Sequence, residues 1–317
     1  RSVTVWPRAR SSRCQRLWRS NVVVVEGNTH RFGPQTSSPA PLCAHSHFGA
    51  LAPMRKTWPM AEEDVVTADR VETEVIGRTL VVTMVRHSKR NAIDGHMTEA
   101  IDAAMNRLDD DPDLWIGVLT GGANMFCAGT DMAATSGRPT ERGGIYGVVG
   151  RQRAKPLIAA VEGVAFGGGF EVVMACDMVV AARNARFALP EVKRGLIASS
   201  GALFRASRVL PLNVAKYLLT TGTELTPAEA ERHGLVNEVC DPGQALTRAL
   251  ALADVITANS PVAARLALQA VDRIVAANDD EAWAISAEFR NKVMSSEDSK
   301  EGVAAFFEKR PPRWTGR

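Results

Sequence analysis

Apolar residues fall along this chain in two kinds of pattern. The first is short and continuous: "RTLVVTMV" at 78–85, "LWIGVLTGG" at 114–122 and "KPLIAAVEG" at 155–163. Runs of that length, bounded by polar residues or glycine, read as strands buried on both faces. "DMVVAA" (177–182) and "ARFALPE" (185–191) read as further strands. The second pattern has helical spacing. In "AIDGHMTEAIDAAMNRLDDDPD" (92–113), Ile101, Ala104, Met105 and Leu108 form a stripe, Asp94 is the expected N-cap and Pro112 the stop. "AFGGGFEVVMACD" (165–177) predicts a helix opening at the glycines and running through Cys176. From 201 onward helical spacing dominates, from "GALFRASRVL" to "SKEGVAAFFEKR". The pattern therefore predicts an α/β core of repeated strand-strand-helix units over 61–250 and a helical region over 251–317. "ANMFCAGTDM" (123–132) reads as a loop, and the glycine- and charge-rich stretch 134–154 is expected to be mobile.

Residues 1–60 break the pattern. They show no sustained period and hold nine Lys or Arg against one acid, Glu26. Such a segment buries too little apolar surface to offset its ordering entropy. A transit peptide, a disordered arm and translated upstream sequence ahead of Met60 all fit this composition. The third is favoured, because the chain opens on Arg and Arg far outnumbers Lys. "NVVVVEG" (21–27) has strand character but no evident neighbour. Deleting 1–60 is expected to leave melting temperature and turnover unchanged.

Composition narrows the function. The chain has 317 residues, 45% of them hydrophobic, enough for one large core. No run approaches the ~18 apolar residues of a membrane helix, so a soluble protein without a membrane partner is expected. The five cysteines, Cys14, Cys43, Cys127, Cys176 and Cys240, form no CxxC pair. That fits reduced thiols and a cytoplasmic location. The six histidines form no i, i+4 pair in a helix, and no metal centre is expected. The net charge of +3 is carried by residues 1–60; residues 61–317 keep 29 of the 38 basic and 34 of the 35 acidic side chains. An acidic body argues against a nucleic-acid partner.

The candidate chemistry sits at Gly167, Gly168 and Gly169. Glycines opening a helix leave backbone N–H groups free at the positive end of its dipole, a place for developing negative charge. A tight strand-to-helix turn without a ligand explains the glycines equally well. The spacing is neither GxGxxG nor GxxxxGK[ST], so no nucleotide loop is indicated. "FCAGTD" (126–131) is a second small-residue turn that would offer another N–H. Glu171 follows the glycines, and Glu191 stands in "ALPEV" at the end of a strand. Two carboxylates beside two donors suit chemistry that needs one acid and one base.

Taken in order, "RNAI" (90–93), "VLTGGANMFCAGTDM" (118–132), "KPLIAAVEGVAFGGGFEVVMACDMVVAARNARFALPEVKRGLI" (155–197), "LTTGTELTPAEAERHGLVNEV" (218–239) and "EGVAAFFEKRPP" (301–312) resemble the enoyl-CoA hydratase/isomerase, or crotonase, family. The resemblance covers about 75–317. It implies a spiral of strand-strand-helix units with a C-terminal trimerisation region, a homotrimer or homohexamer, and an acyl-CoA substrate. No separate cofactor is implied, since coenzyme A is part of the substrate. The implied reaction is hydration of 2-trans-enoyl-CoA to 3-hydroxyacyl-CoA, of the fatty acid β-oxidation type. Enoyl-CoA isomerisation, carnitinyl-CoA-type dehydration and acyl-CoA hydrolysis are the alternatives; a non-catalytic, RNA-binding role is disfavoured by the acidic body. By resemblance, Ala128 and Gly168 form the oxyanion hole. Glu171 activates water for attack at C3 and Glu191 protonates C2. Asn91, Ala92, Ile93, Phe126, Gly129, Thr130, Asp131 and Gly167 surround the CoA thioester, with Lys309 or Arg310 near phosphate.

Two departures stand out. The family commonly continues after "GLI" with a Pro-Gly-x-Gly-Gly-Thr run, whereas here the chain reads "ASSGALFRAS" (198–207). That segment lies near the acyl chain in the family, so the length and polarity of the substrate are left open. After "AGTD" the family often places a basic residue near CoA; "MAAT" (132–135) has none.

Overall fold

The computed structural model describes residues 66–68, 70–276 and 278–313. The readings made for residues 1–60, including the strand at 21–27, lie outside the described residues.

The chain enters as a meander. β1 (Val66–Ala68) pairs antiparallel with β2 (Val71–Ile76), and β2 with β3 (Thr79–Met84). α1 (Gly95–Asp110) carries the chain across so that β4 (Ile116–Thr120) joins β3 in parallel. β5 (Leu157–Val161) joins β4, again in parallel. Then β6 (Val164–Phe166) leads into α2 (Gly168–Ala175), β7 (Met178–Ala182) lies parallel to β5, and β8 (Arg186–Ala188) lies parallel to β6. Next come α3 (Ala202–Val209), α4 (Leu212–Thr221), β9 (Glu224–Leu225), α5 (Pro227–Arg232) and β10 (Glu238–Cys240). The chain ends in α6 (Ala245–Thr257), α7 (Pro261–Val275), α8 (Asp279–Ser295) and α9 (Glu297–Glu308). The large sheet has the order β1-β2-β3-β4-β5-β7-β10, the small one β6-β8-β9.

Each pass of the chain thus gives one strand to the large sheet and one short segment to a second layer. β5 is followed by β6 and β7 by β8. β4 is followed by Cys127, which bridges Ala165 of β6, and β3 by Ile93, which bridges Thr130. The second layer stacks the segments at 93, 127–130, 164–166 and 186–188 in register. This is the predicted strand-strand-helix repeat.

Burial explains the strand sequences. All five residues of β4 and of β5 are buried. Their side chains alternate between two cores: Leu119, Leu157, Ala159 and Val161 face the main core with α1 and α2, while Ile116, Val118, Ile158 and Ala160 face α6. On α6 the facing residues are Ala245, Ala249 and Ala253, one small residue per turn, which lets that helix lie close to the sheet. Buried Glu162 anchors α6 by accepting the Ala245 N–H at 3.0 Å. α1 begins as expected, with Asp94 accepting the Met97 N–H at 2.9 Å and Met97, Ile101, Ala104, Met105 and Leu108 buried. It ends at Asp110, just short of Pro112.

The stretch 134–154 is not the loose loop that its composition suggested. Tyr146, Gly147, Val148, Val149 and Arg151 are buried. Arg151 ties the stretch to α1 through Asp102 and, at 2.9 Å, Asp109. Gly147 lies so flush on α1 that a Cβ there would meet the Thr98 carbonyl oxygen at 2.3 Å. Glycine here serves close packing, which composition alone cannot distinguish from flexibility. The C-terminal helices differ from the core: α7 buries none of its residues, and Val262, Leu266 and Ile274 stand 54%, 53% and 77% exposed. Among the described residues no helix is long and apolar enough to cross a membrane.

Candidate active site

The three glycines lie between β6 and α2, and each has its own reason. Gly167 has φ +53, and a Cβ there would sit 3.0 Å from Glu191 Oε1. A Cβ on Gly168 would meet the Tyr146 hydroxyl at 2.6 Å, and one on Gly169 the Cys127 carbonyl oxygen at 2.4 Å. Space therefore dictates the run: a carboxylate, a phenol and a neighbouring backbone all crowd the start of α2. That start also presents unpaired amides. Gly167 N–H donates to Ala188 O at 2.9 Å, whereas Gly168, the first residue of α2, has no carbonyl beneath it.

A second free amide comes from the 126–131 turn, and it is not the expected one. Ala128 N–H donates to Arg90 O at 3.0 Å. Gly129 N–H turns back to Cys127 Sγ at 3.3 Å, and Asp131 N–H donates to Ile93 O at 2.9 Å. Of the turn residues that line the cavity, this leaves Thr130 with an N–H that has no partner among the described residues. The parallel bridge to Ile93 dictates this alternation, and a bridge to the preceding pass is invisible in a local sequence. A Cβ on Gly129 would lie 3.3 Å from the Gly168 N, so the two turns touch.

The glutamates approach from the other side. Glu171 stands in the first turn of α2, 2% exposed. Its Oε1 accepts the Ala202 N–H at the start of α3, at 3.2 Å. Glu191 stands in the 3-10 turn Pro190–Arg194 after β8, and its Oε2 is buried without a hydrogen-bond partner. Burial pushes both carboxyls above the ordinary range, and the negative charge of Glu191 raises Glu171 further. Each therefore holds its proton to a higher pH than an exposed carboxyl does.

All four groups line one cavity of about 1030 Å³. Of the remaining expected residues, Ala92, Ala128, Gly129, Asp131 and Gly167 also line it. Asn91, Ile93 and Phe126 do not; all three are fully buried behind the wall. Asn91, at φ +51, holds the turn instead, its Nδ2 donating to the carbonyls of Gly121, Met125 and Phe126 at 3.0–3.1 Å. The Asp131 carboxylate is occupied by Arg86 at 2.7 Å and by the N–H groups of Ala133 and Ala134. Arg310, expected near phosphate, pairs with Glu301 and Glu308, and neither it nor Lys309 lines this cavity.

Sequence reasoning missed several wall residues. Lys89, Arg90 and Arg138 bring cations to the cavity from the segments flanking the two turns, where the family pattern had suggested a gap. Buried Tyr146 was hidden in the stretch read as mobile. Its hydroxyl lies 2.7 Å from Thr130 Oγ1 and accepts from Ser200 Oγ at 3.3 Å. Its φ of +57 is a conformation that a bulky side chain rarely adopts. Among the described residues, no three His, Cys, Asp or Glu side chains are grouped to hold a metal ion.

Comparison with known proteins identifies the family. The enoyl-CoA hydratase/isomerase family model matches residues 77–317. The enoyl-CoA hydratase EchA19 of Mycobacterium tuberculosis is 41% identical over 251 residues, covering 76% of this chain and 94% of the relative. The mevalonyl-coenzyme A hydratase sidH of Aspergillus fumigatus is 37% identical over 74% of this chain and 90% of the relative. A crystal structure of carnitinyl-CoA hydratase from Mycobacterium avium superposes with a TM-score of 0.73 at 38% identity, covering 79% of this chain and all of that one. By these matches the chain belongs to the enoyl-CoA hydratase/isomerase family.

Proposed function

We propose that the chain catalyses the reversible addition of water across the double bond of 2-trans-enoyl-CoA thioesters, giving 3-hydroxyacyl-CoA. The observation that carries this reading is the convergence of two buried, mutually repelling glutamates on a cavity that also holds two unpartnered backbone amides. The thioester carbonyl oxygen sits between the N–H groups of Gly168 and Thr130. As water adds at C3, negative charge moves onto that oxygen, and the two amides stabilise it without having to reorganise. Removing one such donor typically raises a barrier by about 3 kcal/mol. One glutamate, as carboxylate, takes a proton from the water; the other, as carboxylic acid, delivers one to C2. The bond to C3 forms, the C2–C3 double bond becomes single, and the shared proton of the pair returns. Glu171 is the base and Glu191 the acid in the forward direction, and their raised pKa values keep one proton on the pair near neutrality. Lys89, Arg90 and Arg138 face the phosphates of coenzyme A. Coenzyme A is part of the substrate, and no further cofactor enters the scheme.

Acyl-CoA thioesters named in the relatives, including mevalonyl-CoA and carnitinyl-CoA, support this substrate class. The dehydration named for the carnitinyl-CoA relatives uses the same two carboxyls in reverse and is the second reading. We further propose a cytoplasmic enzyme assembled about a threefold axis, as a trimer or a pair of trimers, because the exposed apolar stripes of α7 and α9 are too extensive for a lone subunit. The test is direct: purified protein with crotonyl-CoA should bleach the absorbance of the conjugated thioester, and Glu171→Gln or Glu191→Gln should abolish the bleaching while CoA-ester binding persists. Wild-type protein that binds the ester without bleaching it would overturn the reading.

A further inference from the structure

Arg86, just beyond the end of β3, gathers three acceptors behind the turn that carries the Thr130 amide. Its Nη1 donates to the Ala92 carbonyl oxygen at 2.8 Å and to Asp131 Oδ2 at 2.7 Å. Its Nη2 lies 3.2 Å from Asp94 Oδ2, on the carboxylate that caps α1. All three side chains are largely buried. Charge-assisted bonds in such a place are stronger than their neutral counterparts. Arg86 does not line the cavity, so it can act on a bound molecule only through what it holds.

It holds two short segments that meet without a long ladder. Ile93 N–H donates to Gly129 O at 2.8 Å, and Asp131 N–H donates to Ile93 O at 2.9 Å. These two bonds turn the intervening Thr130 N–H away from Ile93, on the side of the cavity that Thr130 lines. The segment that supplies Ile93 is itself strained. Arg90 and Asn91 stand at φ +54 and +51, a conformation that persists only where the surroundings hold it. Arg86 grips this segment at Ala92, one residue before the bridge, and grips the turn at Asp131, one residue after Thr130. The other oxygen of Asp131 accepts the N–H groups of Ala133 and Ala134, which ties the turn to its continuation. The guanidinium thus adds two bonds to a bridge that has only two of its own.

We infer that Arg86, acting through Ala92 and Asp131, is the positioning residue for the Thr130 N–H donor of the oxyanion hole. It fixes the angle at which that amide meets the thioester oxygen. The inference rests on the hydratase reading and deepens it. The experiment compares wild type with Arg86→Gln, Arg86→Lys, Asp131→Asn and the Arg86→Gln/Asp131→Asn double variant, by crotonyl-CoA turnover and melting temperature. Arg86→Gln should lower kcat by about ten- to a hundredfold, short of the ~10²–10³ that an absent donor costs, with KM changed less than about threefold. Asp131→Asn should do the same, and the double variant should lose little more than the worse single one, because both remove one link. Arg86→Lys keeps the charge beside the two aspartates without the planar fork; it should melt near wild type and still turn over more slowly. A second readout needs no turnover. In Glu171→Gln protein, bound cinnamoyl-CoA should absorb further to the red than the free ester, and adding Arg86→Gln should shrink that shift. Folded Arg86 variants with wild-type kcat, losses confined to KM, or an unchanged absorbance shift overturn the inference. So do additive losses at 86 and 131, which would give Asp131 a separate contact with the substrate. If Arg86→Gln does not fold, Arg86→Lys and Asp131→Asn decide by the same criteria. Wild type that binds crotonyl-CoA without hydrating it defeats the hydratase reading instead, and the absorbance shift still tests the clamp.

Discussion

Glu171 carries the sharpest consequences at the scale of single residues. A carboxyl whose folded-state pKa lies above its ordinary value of 4.5 holds its proton more tightly in the folded protein. Its contribution to stability is therefore lost as pH rises from the ordinary value toward the raised one. Glu171→Gln removes the buried charge and keeps an oxygen for the Ala202 N–H. It should melt higher than wild type at neutral and alkaline pH, with the gain vanishing below about pH 4.5, and should lose roughly 10²–10⁴-fold in kcat. Scanning calorimetry across pH checks the first expectation; a variant less stable than wild type at pH 8 would contradict the direction of the shift. The same reasoning shapes the pH profile of kcat/KM. Activity needs one proton on the pair, so it should fall on the acid side as the second carboxyl protonates and on the alkaline side as the last proton leaves. Both limbs should lie above the usual carboxylate range and move when either glutamate becomes Gln. Gly168→Ala forces a methyl into the Tyr146 hydroxyl, and about 1–3 kcal/mol of stability should be lost along with most of the activity.

The two glutamates and Gly168 were legible in the sequence because their chemistry lies in residue type and spacing. Thr130 in place of Ala128 was not legible, because which amide of a turn stays free depends on a bridge to Ile93 that only the folded chain creates. Asn91 and Phe126 were placed around the CoA thioester by resemblance, yet both lie buried behind the cavity wall.

At the scale of elements, the stretch 134–154 shows how glycine misleads. It has no period because, apart from a single 3-10 turn at Ile145–Gly147, it is neither helix nor strand, and Arg151, locked between Asp102 and Asp109, holds it in place. The Arg151 and Asp109 side chains are only 2% and 7% exposed. Replacing Arg151 by Ala strands a buried carboxylate and should destabilise the protein by about 3–5 kcal/mol. Urea unfolding measures this; a change below about 1 kcal/mol, the range of surface ion pairs, would show that the stretch is loosely held after all. The strands and α1, by contrast, were readable to within a few residues, since continuous burial in β4 and β5 and the stripe of α1 are direct imprints of their neighbours.

For the whole molecule, the open question is assembly. α9 contributes Phe306 to the cavity, and α8 contributes Arg290 and Met294, so the C-terminal helices are part of the site as well as its exposed face. Truncation after Ser299 removes most of α9 and should abolish both association and turnover. Light scattering of the full-length enzyme should give a multiple of three subunits; an active species with the mass of one subunit would contradict the threefold arrangement.

The stacking of short segments in the second layer separates two things that a lineage of enzymes must change independently. The groups that do the chemistry are held by pairings between successive passes of the chain, from Ile93 to Thr130 and from β6 to β8. Much of the remaining cavity wall comes from the connections between those passes, at 131–146 and 197–200. A connection can lengthen, shorten or exchange a hydroxyl for a methyl without shifting the register that aligns the glutamates. Substrate preference can drift within this scaffold while the reaction stays fixed, so a directed-evolution campaign confined to the two connections should change the acyl group accepted long before it harms the addition of water.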